Sequence, residues 1–228
     1  MRIPVPVADV HCEVYRFLSF GVALVCLFAA CLAQPAAEPY LLVRGAFIVA
    51  GKKPDGDSVR FIPDNPALLK SLKRSSRIAP SRDGSVQLRF EGVDAPELHY
   101  ENRRQPFSAE PRDALLERLG FTIVTYTKGG IVARSSVPER VRGAILSVAA
   151  EVYGRPISFV YRERDIAGDD GTRLALSADL VQRSVNAWSL EAGLVYPLFY
   201  SSLPTDARLT LREIAAGARA KCGVVVAR

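Results

Sequence analysis

Short stretches in which apolar and polar residues alternate recur through the middle of the chain, most of them beside a turn-forming sequence. Between Gln87 and Glu91, Leu88 and Phe90 fall on one face and the polar residues fall on the other. Alternation with a period of two predicts a strand with one buried face. By the same reasoning, strands are predicted at 40–50, 58–62, 121–127, 131–135, 144–149, 157–161 and 174–180.

Apolar residues spaced by three and four positions predict helices in the second half of the chain. The stretch 111–119 opens with Pro111, which suits a first helical turn, and precedes Gly120, a common helix stop. A second helix is predicted around Trp188, which we expect in the core, and it ends at Gly193. The last helix is Ala-rich, with an apolar face made of Leu211, Ile214, Ala215 and Ala218. Many short strands followed by helices predict an α+β fold.

The apolar run from Phe17 to Ala33 predicts a segment that does not belong to the folded domain. Arg16 precedes it and small residues follow it, as in the core of a signal peptide, and it is short for a membrane span. We therefore assign residues 1–33 to a signal peptide or membrane anchor. Three alternatives stay open: a cleaved signal, an uncleaved helix, and a lipid anchor at Cys31, which lies in a sequence resembling a lipoprotein cleavage box. Each predicts an exported protein, either secreted or held in the cell envelope.

The composition of the chain favours an anionic partner. The net charge is +6 at pH 7, and the excess lies after residue 33, because the charges before it cancel. Such an excess favours, without identifying, a negatively charged partner. A hydrophobic content of 49% is enough for a core and argues against disorder. Three of the four cysteines precede residue 34, so removal of the leader would leave Cys222 and no disulfide framework.

After the leader we predict a linker at 34–43 and a single, monomeric domain at 44–228 with inserts at 63–84 and 162–182. The first insert is basic, with Lys70, Lys73, Arg74, Arg77 and Arg82 against Asp64 and Asp83. It is either a solvated loop or a basic arm that contacts phosphate groups. The second insert holds a Gly-Asp-Asp-Gly turn and the strand-like stretch that ends near residue 180.

Three turns carry the charged residues that are candidates for chemistry. The first is Asp-Gly-Asp-Ser-Val at 55–59, the second is Asp-Ala-Pro-Glu at 94–97, and the third is Tyr-Gly-Arg-Pro at 153–156. Pro96 fixes its own φ and biases Ala95 toward an extended conformation, so the second turn is a stiff corner. Each turn taken alone is also explained as an ordinary solvated turn.

In this chain the second turn and the strand before it read Arg-Phe-Glu-Gly-Val-Asp-Ala-Pro-Glu from Arg89 to Glu97. Taken in this order, the three turns resemble those of the staphylococcal-nuclease-like (thermonuclease) family. The later Val-Asn at 185–186, the Ala-Gly-Leu at 192–194 and the Ala-rich terminal helix fit the same pattern. The resemblance covers roughly residues 44–223. It implies a five-stranded OB-type β-barrel with about three packed helices, a fold that presents one face and its loops to oligonucleotides or sugars.

The resemblance also implies a calcium-dependent phosphodiesterase that hydrolyses DNA, RNA or both. Asp57, Asp94 and the backbone carbonyl of Ala95 would hold Ca²⁺, which prefers oxygen ligands. Glu97 would accept a proton from the attacking water. Arg89 and Arg155 would donate paired hydrogen bonds to phosphate oxygens and stabilise the transition state. Tyr153 matches a tyrosine near the phosphate, whereas Val152 stands where the family has a lysine.

Two other classes of protein remain open. One is a non-catalytic OB-fold module that binds nucleic acid. The other is a secreted structural or carbohydrate-binding barrel, for which we would expect exposed aromatic residues rather than acids grouped with arginines. Tyr196, Phe199 and Tyr200 would serve either base stacking or core packing. The expected partners are therefore a nucleic-acid substrate and, through the N-terminal segment, a membrane.

Overall fold

The structure, a computed structural model, describes residues 38–98, 107–200 and 203–222. The predicted signal peptide or anchor at 1–33, and the start of the predicted linker, lie outside these residues. No helix in the described ranges is long and apolar enough to cross a membrane.

The alternating stretches form strands, eleven of them among the described residues. They are β1 (Tyr40–Ile48), β2 (Arg60–Pro63), β3 (Val86–Gln87), β4 (Arg89–Phe90), β5 (Val93–Asp94), β6 (Ile123–Tyr126), β7 (Ala133–Val137), β8 (Arg140–Ala150), β9 (Pro156–Arg162), β10 (Arg173–Leu174) and β11 (Tyr196–Pro197). β6 and β7 form the predicted hairpin, and β5 pairs with β11. The remaining strands belong to one sheet.

The main sheet curls until its two edges meet. Its order is β3-β2-β1-β8-β9-β4, with β10 added beside β1, and every pairing is antiparallel except that of β4 with β9. β3 and β4 are the two halves of one extended segment, 86–90, so the same piece of chain forms both edges. The Leu88 amide also donates to the Val59 carbonyl at 3.0 Å, which continues the pairing between the halves. The sheet is therefore nearly closed and barrel-like.

Aromatic side chains fill the interior of this barrel-like sheet. The fully buried ones are Phe47, Phe61, Phe90, Phe159 and Tyr161. Phe47 and Phe61 sit opposite each other on paired strands, with ring centroids 5.3 Å apart. Burying rings of this size contributes much of a core's stability, and a tilted pair adds about 0.5–1.5 kcal/mol.

Four α-helices lie among the described residues: α1 (Ala109–Leu119), α2 (Ala178–Arg183), α3 (Val185–Glu191) and α4 (Thr205–Cys222). α1 buries Leu115, Leu116 and Leu119 and ends at Gly120, as predicted. Ser184 separates α2 from α3, and its hydroxyl accepts a hydrogen bond from the Ala187 amide at 3.1 Å. That bond satisfies a donor that the first turn of a helix otherwise leaves unpaired.

The prediction of an α+β fold with a barrel-like sheet is confirmed, and some local predictions are wrong. The stretch 174–180 is a strand only over β10, because Ser177 caps α2 by accepting from the Leu180 amide at 3.2 Å. Residues 40–43, predicted as linker, belong to β1. The strand predicted between Gln87 and Glu91 ends at Phe90, and Gly92, whose φ is 78°, then reverses the chain. A Cβ there would lie 2.5 Å from Leu211 Cδ1 on α4.

Both inserts pack against the sheet rather than forming solvated loops. In the first insert, Leu69 and Leu72 are buried, and the Lys73 backbone bonds to Val148 and Ala150 at 2.9 Å each. The second insert is fastened to β1, where the Leu42 amide donates to the Thr172 carbonyl at 2.8 Å.

Candidate functional site

Arg89 on β4 joins two of the predicted metal ligands. Its Nη1 donates to Asp57 Oδ2, and its Nη2 donates to Asp94 Oδ1 at 2.6 Å. The Arg89 and Asp57 side chains are 12% and 8% exposed, whereas Asp94 is 42% exposed. One guanidinium therefore lies between two carboxylates at a partly open end of the sheet.

Backbone pairing explains why these residues meet. The Phe90 amide donates to the Asp57 carbonyl at 3.0 Å, which brings the first turn beside β4. Gly92 then turns the chain so that Asp94, on β5, comes back toward Arg89. The Ala95 amide follows and points at Asp57 Oδ2 at 3.4 Å, which is long for a hydrogen bond. The first two predicted turns thus form one cluster around Arg89.

The cluster has more acid than base. Burial raises the pKa of Asp57 to about 7, against the opposing charge of Arg89, and Asp55 and Asp94 raise it further. Burial likewise raises the pKa of Glu91 to about 7, again opposed by Arg89. Glu91 is 5% exposed, and its Oε1 has no hydrogen-bond partner among the described residues. Three carboxyl groups therefore depend on a single guanidinium, and an added cation would relieve them.

Arg155 lies beside this cluster through the parallel pairing of β4 with β9, in which Arg89 is the partner of Ile157. Arg155 lies two residues before Ile157, in the turn that precedes β9. Its Nε donates to Glu151 Oε1 at 2.5 Å. The structure thus places Arg155 in the turn before β9, next to the strand that carries Arg89, and both arginines are already paired with acids.

The remaining predicted residues lie on the second and third turns. Tyr153 is 83% exposed, in the turn before β9. Ala95 is buried, and Glu97 is exposed at the end of the same stiff corner. Gly154 has a φ of 83°, and a Cβ on it would lie 2.1 Å from the Arg77 carbonyl oxygen, so this turn requires glycine.

The aromatic stretch after α3 divides between the two roles left open. β5 pairs with β11 so that Tyr196 is the partner of Asp94. Tyr196 and Tyr200 are 39% and 51% exposed, whereas Phe199 packs against the core. Although burial opposes the shift, Asp57 and Asp94 raise the pKa of Arg89, and Tyr200 raises it further. Two aromatic rings therefore flank the cluster and are accessible.

Asn186 joins the strands that form the site, whereas in the sequence it stands out only as part of the Val-Asn pair at 185–186. It is fully buried on α3, where its Oδ1 accepts from the Val160 amide at 2.9 Å. Its Nδ2 donates to the carbonyls of Glu91 and Ser158 at 2.9 and 3.0 Å. A buried amide that satisfies three backbone groups fixes β4 against β9 and thereby positions Arg89. An asparagine on an otherwise apolar helix face was the available signal.

Glu151 and Glu91 were also missed. Glu151 precedes Arg155 by four positions across a tight turn, a spacing that allows an ion pair. Glu91 falls on the polar face of the predicted strand, and nothing local indicated that the chain would reverse at Gly92 and bury it.

Oxygen ligands suited to calcium are present, although few. Within the described ranges, no group of three or more His, Cys, Asp or Glu side chains could hold a metal ion. Asp57 and Asp94 nevertheless converge on one cation, the guanidinium of Arg89. Calcium takes six to eight oxygen ligands, and backbone carbonyls and waters commonly complete the set. Asp57 and Asp94 thus supply two carboxylates of the kind that calcium prefers, and the calcium site stays a prediction.

No protein-family model matches the chain, and no curated protein matches it either.

Proposed function

We propose that this domain is a calcium-dependent nuclease of the staphylococcal-nuclease-like type, with a five-stranded OB-type barrel, that hydrolyses phosphodiester bonds in DNA, RNA or both. The observation that carries the proposal is the cluster of Asp57, Arg89 and Asp94 at the meeting edges of the sheet. An acid-rich site containing a planar guanidinium offers both a cation site and a phosphate donor.

Asp57 and Asp94 are the proposed metal ligands, together with the carbonyl of Ala95. A bound calcium supplies positive charge that neutralises the phosphate and lowers the cost of forming hydroxide from water. The surplus of carboxyl groups around Arg89 supports this assignment, because such groups repel unless a further cation joins them.

Arg89 and Arg155 are the proposed phosphate donors. Both have a planar guanidinium that matches phosphate oxygens, and Arg155 lies just before β9, the strand that pairs with the Arg89 strand β4. Binding of substrate requires Arg89 to share its donors with the phosphate, and Arg155 to exchange Glu151 for it. Donors that meet charge developing in the transition state raise kcat more than they tighten substrate binding.

Glu97 is the proposed acceptor of a proton from the attacking water, since it ends the corner that carries Asp94 and is exposed. Tyr153 is the proposed contact to the substrate beside Arg155.

A non-catalytic module that binds nucleic acid is the second candidate. The specific observation in its favour is that Arg89 and Arg155 are both engaged by acids. Pairs of this kind also occur where they only hold a fold together. Such a module would bind nucleic acid at low salt and cut neither DNA nor RNA.

Cleavage of labelled DNA and RNA by the purified protein, with calcium or with a chelator, separates the two candidates. We expect calcium-dependent cleavage that falls strongly in Glu97→Gln. Glu213→Gln is the matched control, because Glu213 is an exposed acid on α4. A parent protein that binds nucleic acid but cuts it in no divalent ion would refute the nuclease.

We also propose that the protein works as an exported monomer, secreted or attached to a membrane, because residues 17–33 are almost wholly apolar. N-terminal sequencing of the protein from its native cells tests export. An intact Met1 on a soluble cytoplasmic protein would refute it.

A further inference from the structure

The first insert presents a cationic surface whose own acids do not neutralise it. We call this the insert surface and define it by Lys70, Lys73, Arg74 and Arg77, all of which are exposed. The two acids of the insert are held elsewhere: Asp64 by Arg142 at 2.6 Å, and Asp83 by Lys52 at 2.5 Å.

The insert surface is built on a fixed support. Asn65 caps a 3₁₀-helix by accepting from the Ala67 amide at 3.1 Å, and Leu69 and Leu72 anchor the insert in the core. Lys73 bonds through its backbone to β8, as described above, and its ammonium pairs with Glu38. The backbone that carries these cations is therefore held in place, and binding a ligand there costs less entropy than ordering a loop.

The insert surface continues directly into the candidate site. Arg77 Nη1 donates to the Val152 carbonyl at 3.0 Å. The Arg77 carbonyl touches the backbone of Gly154, which precedes Arg155. The insert surface thus reaches the turn that carries Arg155, beside the candidate site.

Arg74 occupies a backbone conformation that disfavours it. Its φ is 59°, and the only other non-glycine residue with positive φ in the described ranges is Phe107. Glycine or asparagine would suit the left-handed region better. A strained arginine within an exposed cationic surface points to a use for its charge.

We propose that the insert surface binds the phosphate backbone of the same nucleic-acid strand that the candidate site would cut, on the Arg155 side. This inference rests on the proposed function and extends it to a substrate several nucleotides long. Regular negative charge along a strand matches cations that follow one another along a surface. An anionic membrane fits less well, because no large apolar side chain of the insert is exposed.

The salt dependence of binding tests the proposal. The full-length protein is titrated with a labelled single-stranded 12-mer, with a chelator present to prevent cleavage, at several salt concentrations. Lys70→Gln/Arg74→Gln should reduce the slope of log K against log salt by about 1.4, since each lost single-strand phosphate contact accounts for about 0.7. Arg212→Gln/Arg219→Gln removes the same charge from α4 and should leave the slope unchanged. Equal slopes in both double variants overturn the proposal.

Kinetics separate this inference from the proposed function. The parent should have a lower KM for the 12-mer than for a dinucleotide. The insert variant should lose that difference while it cleaves the dinucleotide at the parent rate. If the parent cuts both substrates and the variant keeps the low KM, only this inference fails. If the parent cuts neither, the proposed function fails whatever the insert binds.

Two further measurements guard against a folding effect and a wrong partner. Arg74→Gly should keep or raise the melting temperature, because it relieves the strained φ, and should still weaken binding of the 12-mer. Full affinity in this variant overturns the role of Arg74. Phosphatidylserine vesicles provide the membrane arm: binding of vesicles but not of the 12-mer, lost in the insert variant, overturns the proposal.

Discussion

Arg112, which is buried, and Arg89, which is partly buried, sit in opposite electrostatic surroundings. On α1, Arg112 donates two hydrogen bonds to Asp113, from Nε to Oδ1 at 2.7 Å and from Nη2 to Oδ2 at 3.0 Å. It also donates to the Gly130 carbonyl, and its guanidinium carbon lies 3.9 Å from the centre of the Tyr126 ring. Arg89 instead meets Asp57 and Asp94 and also opposes the charge of Glu91. One cluster is balanced, and the other has an excess of acid.

The pKa values of the acids follow from that difference. Although burial works against it, hydrogen bonds from Arg112 and Tyr126 hold the pKa of Asp113 below its usual range. Asp57 has an arginine too, yet burial raises its pKa to about 7. An arginine paired with one acid stabilises a structure, whereas a cluster with more carboxyl groups than cations is suited to bind a further cation. Perturbed acids of this kind mark candidate sites.

Substitution of Arg89 should produce the largest change. Arg89→Lys keeps the charge but lacks the planar fork, so kcat should fall by about 10²–10³, the usual loss of about 2.7–4 kcal/mol for one transition-state donor. Single-turnover cleavage measures it. If Arg89→Lys kept the kcat of the parent protein, the planar guanidinium of Arg89 would not contribute to catalysis.

Arg112 should behave in the opposite way. Arg112→Ala removes the Arg112 donors from the Gly130 carbonyl and from Asp113, which keeps the hydrogen bond from Tyr126. We expect a loss of about 3 kcal/mol in the free energy of unfolding, near the low end for a broken buried pair because Asp113 is half exposed. Urea unfolding measures it. The kcat of the folded fraction should equal that of the parent, and a fall in kcat at full folding would make Arg112 part of the site.

Calcium should stabilise only through the acid-rich cluster. At a calcium concentration 100 times its Kd, the free energy of unfolding should rise by about 2.7 kcal/mol, because calcium binds the folded state alone. Thermal melts with calcium and with a chelator measure it. Asp57→Asn and Asp94→Asn should abolish the rise, and Asp113→Asn should not. A rise that survives both site substitutions places the ion elsewhere.

Glu91 should make stability fall as the pH rises. Its pKa in the folded state, about 7, exceeds its ordinary value of 4.5, so the folded state holds a proton that the unfolded state has lost. The stability that Glu91 contributes is fully present below its unfolded pKa and is lost as the pH rises through its folded pKa. The free energy of unfolding should therefore fall by about 2 kcal/mol from pH 5 to pH 7. Urea unfolding of parent and Glu91→Gln, compared across this range, isolates it. Identical pH profiles would mean that Glu91 ionises freely.

Local patterns predicted the elements that local forces decide. α1 and the β6–β7 hairpin were found because their helical spacing and turn residues lie within a few positions of each other. The charged turns were found for the same reason. The strand predicted at 174–180 is wrong because the helix cap at Ser177 outweighed the alternation of apolar and polar side chains.

The sequence by itself determined which side chains could carry charge and where the chain turns, since both depend on residue type and near neighbours. Only the tertiary structure decided that Arg89 lies between Asp57 and Asp94, that Glu151 holds Arg155, and that the basic insert packs beside the Gly154 turn. These contacts depend on the closing of the sheet by segment 86–90 and on Asn186 joining α3 to two strands. Pairings between distant parts of the chain arise from the packing of the whole domain, and no local pattern encodes them.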